Sequence, residues 1–186
     1  MSGFLFAFLA VLLACVGARD LSAVAGLVER QGARPGVLVT GIASSIATAV
    51  ITAWAASFVA PMLAADARTV LGAMALAFAG GESLLLSGRL RKPEEPTLSL
   101  GALALVLLAR QLTDAARFLV FGIAVATGAP VAAGMGGAFG GAAGIALAWM
   151  APMAANDARI GMIRRAIGIV LLGVALYVVL RGLGRA

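Results

Sequence analysis

The chain has 186 residues, 62% of them hydrophobic and 12% charged, with a mean hydropathy of +1.07. That balance excludes an ordinary soluble domain; a bilayer core about 30 Å thick takes roughly 20 apolar residues per helical crossing, so the length fits six crossings joined by short loops. With no histidine and a single cysteine, Cys15, there is no intrachain disulfide, no histidine metal site and no imidazole-activated nucleophile, so neither an enzyme nor a bound cofactor is expected. The net charge of +6 is better read as membrane topology than as nucleic-acid binding.

Apolar runs and their breaks predict helices over residues 3–28, 36–63, 67–87, 98–126, 130–153 and 161–181. The first opens on a run that resembles a secretory signal, and Leu12-Leu13-Ala14-Cys15 resembles a lipoprotein cleavage box. Met1-Ser2-Gly3 carries no positive charge and the apolar pattern continues past Cys15, so the segment reads as a membrane helix. It bears Arg19, Asp20 and Ser22. The second helix carries Thr40, Ser44, Thr48 and Thr52 at four-residue spacing, a hydroxyl stripe that either lines a path or glues helices together. Glu82, after Gly80-Gly81 in the third, is either a proton or ion relay or a snorkelling interface residue. Arg89 to Pro96 is the one strongly polar run and divides the chain. The fourth helix holds Arg110, Gln111, Thr113, Asp114 and Arg117, and the fifth a ridge of Gly136, Gly140 and Gly144 flanked by Gly137 and Gly141, which allows close helix approach.

The two halves repeat. Residues 60–68 match residues 151–159 at seven of nine positions, including Pro61 with Pro152, Asp66 with Asp157 and Arg68 with Arg159. Upstream, Asp20 corresponds to Asp114 and Pro35 to Pro130. The fold class expected is therefore an all-α integral membrane protein with six transmembrane helices as a 3+3 inverted-topology repeat: residues 1–88, a cytoplasmic linker 89–97, and residues 98–186. Eight basic residues lie near the loops after helices one, three and five (Arg30, Arg34, Arg89, Arg91, Lys92, Arg159, Arg164, Arg165) and three on the other face (Arg68, Arg181, Arg185). The positive-inside rule then puts both termini outside and the central loop in the cytoplasm.

Charges within apolar helices cost on the order of 2.5 to 3.5 kcal/mol each on insertion scales, so Asp20, Asp114 and the arginines near them call for a role. One role is a shared polar site near the pseudo-two-fold axis. The other is structural pairing: Arg110, Asp114 and Arg117 stand at i, i+4 and i+7 on one helix face. Without histidine, proton coupling would run through Asp20, Asp114 or Glu82.

The pattern resembles the Golgi-type calcium and manganese exporters and their bacterial relatives, in the lysine-exporter superfamily, which carry Glu-x-Gly-Asp-(Lys/Arg)-(Ser/Thr) once per half. The corresponding residues are Gly17-Ala18-Arg19-Asp20-Leu21-Ser22 and Gln111-Leu112-Thr113-Asp114-Ala115-Ala116. Both aspartates are kept and both glutamates are replaced, by Gly17 and Gln111. The resemblance implies a bacterial inner-membrane secondary transporter that exchanges a divalent cation, manganese or calcium, for protons. It implies metal binding by Asp20 and Asp114, supporting oxygens from Gln111, Ser22 and Thr113, and charge partners in Arg19, Arg110 and Arg117. Those five charged residues sum to +1, which leaves two alternatives: an exporter of a small organic or anionic solute held by an arginine fork, and a non-transporting protein of the same fold. The partners expected are lipid and a small ion or solute, with homo-oligomerisation open.

Overall fold

In the computed structural model, which describes residues 2–85, 99–155 and 158–183, every regular element is helical. Helices α1 (Ser2–Ala14) and α2 (Arg19–Gln31) are followed by α3 (Pro35–Val59), which runs into a single 3₁₀ turn (Ala60–Met62), and by α4 (Ala65–Leu85). Beyond the centre come α5 (Leu100–Leu112), α6 (Ala115–Thr127), α7 (Pro130–Met150), the short α8 (Pro152–Ala155) and α9 (Ala158–Leu183). The linker expected at residues 89–97 lies outside the described residues.

Two helices expected to be continuous are broken. The segment predicted over residues 3–28 stops at Ala14, because Gly17 takes φ +69 and the following Ala18 is extended, and α2 leaves at 57° to α1. Only glycine adopts that left-handed turn cheaply, so Gly17 fixes where the helix ends. The segment predicted over residues 98–126 breaks at residues 113–114, where Asp114 is extended and stands at the N-cap of α6. Aspartate favours that position because its oxygen can accept early helical N–H groups. The two breaks fall at the corresponding aspartates of the two halves.

Three helices are long and apolar enough to cross a membrane (Pro35–Met62, Pro130–Met150 and Arg159–Gly182), and the α1–α2 pair makes a fourth if taken as one bent span. The outer surface is apolar as well, with Phe6, Trp54, Phe78, Phe139 and Leu180 more than half exposed. Such a surface fits an integral membrane protein, for which lipid replaces water as the solvent of the outer faces.

The centre is built on close backbone approach. A Cβ on Gly136 would run into the Phe4 carbonyl and one on Gly140 would sit 2.8 Å from the Phe8 carbonyl, so α1 lies directly on the glycine ridge of α7. A Cβ on Gly137 would overlap Val120 of α6 from the adjacent face of the ridge. Helices α4 and α9 pack the same way: a Cβ on Gly80 or on Gly168 would lie 2.8 Å from the carbonyl oxygen of the other. The ridge is thus a packing device, and it carries α1 and α6 to the middle of the molecule together with their breaks.

Candidate functional site at the two helix breaks

The α1–α2 break presents Asp20 in the first turn of α2, 7% exposed. Its Oδ1 accepts the Leu21 N–H at 2.8 Å and its Oδ2 accepts Gln111 Nε2 at 3.1 Å. Gln111, at the end of α5 and 2% exposed, faces Thr48 Oγ1 at 3.3 Å through its own Oε1 and shares that hydroxyl's one proton with the Ser44 and Ser45 carbonyls at 2.9 and 3.1 Å. Thr48, on α3, accepts from Arg117 Nε at 2.8 Å. Arg117 is 5% exposed and its fork closes on Ser45, with Nη2 donating to Oγ at 2.8 Å and to the backbone oxygen at 3.1 Å. A chain of hydrogen bonds therefore runs Asp20–Gln111–Thr48–Arg117–Ser45 through four helices.

Local structure explains each step. Gln111 is held at the last turn of α5 by the break itself. The stripe on α3 turns Ser44, Thr48 and Thr52 inward, and Ser45 beside it is fully buried. Arg117 fits only because α7 has a glycine opposite: a Cβ on Gly141 would overlap Ser45 Oγ and stand 3.2 Å from Arg117 Nη2.

Asp114 is half-buried beside this chain, and among the described residues its carboxylate accepts no hydrogen bond, not even as the cap of its own helix. It lies within electrostatic reach of Asp20, Glu82, Arg164 and Arg117. Its capping role has passed to Glu82 of α4, whose Oε2 accepts the Ala115 N–H at 3.1 Å. The other Glu82 oxygen faces Arg164 Nη2 at 3.6 Å, and Arg164 donates through Nη1 to the Gly17 carbonyl. Arg164 is 4% exposed.

Several expected residues stand elsewhere. Arg19 and Arg110 are exposed and take no part in the network. Thr113 is also exposed, and its hydroxyl donates back to the Ala109 and Arg110 carbonyls, both at 3.1 Å. Ser22 donates to Ala18 at 3.0 Å within its own helix, beside the break but not into the network. Gathered at the breaks are Asp20, Asp114, Gln111, Arg117 and Glu82, joined by Ser45 and Arg164, which the sequence did not single out. Ser45 lies one residue off the hydroxyl stripe. Arg164 counts among the loop cations when helix six is started at residue 161; α9 starts at Ala158 and winds the side chain inward.

The charge balance changes with these placements. Asp20, Asp114 and Glu82 carry three negative charges against the two positive ones of Arg117 and Arg164, so the cluster sums to −1. Among the described residues no three acidic, cysteine or histidine side chains converge as a metal cage. A metal held here would take the Asp20 and Asp114 carboxylates plus neutral oxygens, for which Gln111 would have to turn its amide oxygen inward. No protein-family model matches the chain, and no curated protein or solved structure does.

Proposed function

We propose that the protein is a secondary transporter that exchanges a small cation, manganese or calcium in the leading case, for protons, and that Asp20 and Asp114 bind the cargo. The observation that carries this reading is the pair of helix breaks: each puts an aspartate at a half-helix N-terminus in the middle of the molecule, and among the described residues the Asp114 carboxylate has no hydrogen-bond partner to give up. Discontinuous membrane helices are where carriers built from inverted repeats hold their ions. The matched breaks, the α3–α7 and α4–α9 pairings and the repeated Ala-Pro-Met sequence favour six spans in a 3+3 inverted repeat, with α5–α6 as the fourth span. The distribution of basic residues favours termini outside and the central loop in the cytoplasm, the inner membrane of a bacterium being the setting the family resemblance suggests.

The sum of −1 makes cation exchange coherent. One divalent ion on the two aspartates brings the cluster to +1, and two protons on the same aspartates bring it to +1 as well. The cluster thus carries one buried charge in both loaded states, which keeps the electrostatic cost of crossing the membrane equal in the two directions. The anion-exporter alternative gains no support, because Arg117 spends its fork on Ser45 and Thr48 and Arg164 is committed to Glu82 and Gly17.

The test is manganese binding to the purified protein by isothermal titration. One ion per chain, lost in Asp114→Asn and in Asp20→Asn, supports the assignment. Binding that both variants retain contradicts it.

A further inference from the structure

Each half of the chain closes the break in the other. Glu82, on α4 of the first half, holds the start of α6, and Arg164, on α9 of the second half, donates to the Gly17 carbonyl in the turn between α1 and α2. The two side chains then face each other at 3.6 Å. The sign suits the first position: a carboxylate stands at the positive N-terminus of α6. Neither α2 nor α6 has a side-chain cap of its own. Arg164 is buried to 4% exposure, and among the described residues its Nε has no hydrogen-bond partner. Glu82, by contrast, is reached from outside through an open cavity of about 330 Å³ lined by Phe78, Gly81, Ala115 and Phe118.

We infer that Glu82 and Arg164 form the gate of the cation site, an inference that rests on the transport reading above. With the pair intact, the two breaks are tied together and the α1–α2 break is closed. A cation that reaches Glu82 pairs with it in place of Arg164. The guanidinium then releases the Gly17 carbonyl, and the break at Gly17 is free to open. Glu82 and Arg164 set access to Asp20 and Asp114, and the pinned Gly80–Gly168 crossing is the pivot close to which the tie is made and broken.

The chain supplies its own probe. Cys15, the single cysteine, is 5% exposed and lines an apolar groove beside the break together with Val16, Gly17 and Ser22. Its alkylation by N-ethylmaleimide, on the purified full chain with no divalent ion added, reports how often the break opens. Glu82→Gln removes the charge that holds Arg164; Arg164→Lys keeps a charge but cannot reach both Glu82 and the Gly17 carbonyl. Each should speed alkylation about tenfold or more, as expected for loss of a charge-assisted bond that holds a closed state. Because both act on one tie, the double variant should react no faster than the faster single variant. Wild-type rates in folded single variants, or a double variant in which the two accelerations multiply, would overturn the gate. If Glu82→Gln does not accumulate folded, Arg164→Lys alone takes the same reading. Alkylation is read without cargo, so a failed manganese titration counts against the transport reading and leaves the tie to be judged on its own.

Discussion

Gln111 Nε2 donates to Asp20 Oδ2 at 3.1 Å, a hydrogen bond that joins the break in one half of the chain to the break in the other across 91 residues of sequence. Gln111 stands at the position that corresponds to the first acid of the second motif in the exporters the sequence resembles. As an amide it can donate, and it uses that capacity to hold Asp20. Asp20 is thereby fixed, while Asp114 is not.

That asymmetry separates two variants that remove the same charge. Asp20→Asn breaks a buried, charge-assisted bond and should lower stability by about 1–3 kcal/mol. Asp114→Asn removes no hydrogen bond and should change stability by less than about 0.5 kcal/mol. Thermal unfolding of the two purified variants checks this, with transport lost in both. Equal shifts in Tm would mean that Asp114 has a structural partner.

Arg117→Lys keeps the charge but cannot donate to Thr48 and Ser45 together. Leaving that end of the chain half-satisfied in a buried site should cost about 2–4 kcal/mol, read as a clear fall in Tm. A neutral result would mean that the fork is unimportant and that Arg117 is available to a ligand.

The glycine ridge predicts a contrast between positions rather than a uniform sensitivity. Gly136→Ala drives a methyl into the Phe4 backbone and Gly141→Ala one into Ser45 beside Arg117, so each should destabilise by about 1–3 kcal/mol. A Cβ on Gly173 meets nothing within 4 Å, and Gly173→Ala should be neutral or slightly stabilising because alanine is the better helix former. Equal Tm values for the three variants would contradict the packing described.

Arg19→Gln and Arg110→Gln test the charge balance. Both side chains are exposed, so each change should alter stability by less than about 0.5 kcal/mol and leave cation binding in place. Loss of manganese binding in either would return that arginine to the site and bring the cluster from −1 to neutrality.

Much of this was legible in the sequence because membrane helices announce themselves by composition. The glycine ridge and the corresponding aspartates Asp20 and Asp114 could be read from the sequence, and the structure places both aspartates at helix breaks. The breaks were not legible: Gly17 is one of 24 glycines, and nothing in hydropathy separates a left-handed glycine from one that packs helices. Once a helix breaks, the side chains beyond it are redirected. That is why Arg19 and Arg110, neighbours of the site along the chain, face outward while Arg164, more than a hundred residues from Gly17, is in contact with it. The interior role of Ser45 follows from the rotation of α3 against α7, which four-residue spacing alone does not fix.

The most direct test of the exchange reading is proton movement in proteoliposomes that hold the purified protein and an internal pH dye, on external addition of manganese or calcium. The reading predicts internal alkalinisation, because protons leave as the added cation enters, and predicts that it disappears in Asp20→Asn and Asp114→Asn. Wild-type vesicles whose internal pH is indifferent to both ions would contradict it.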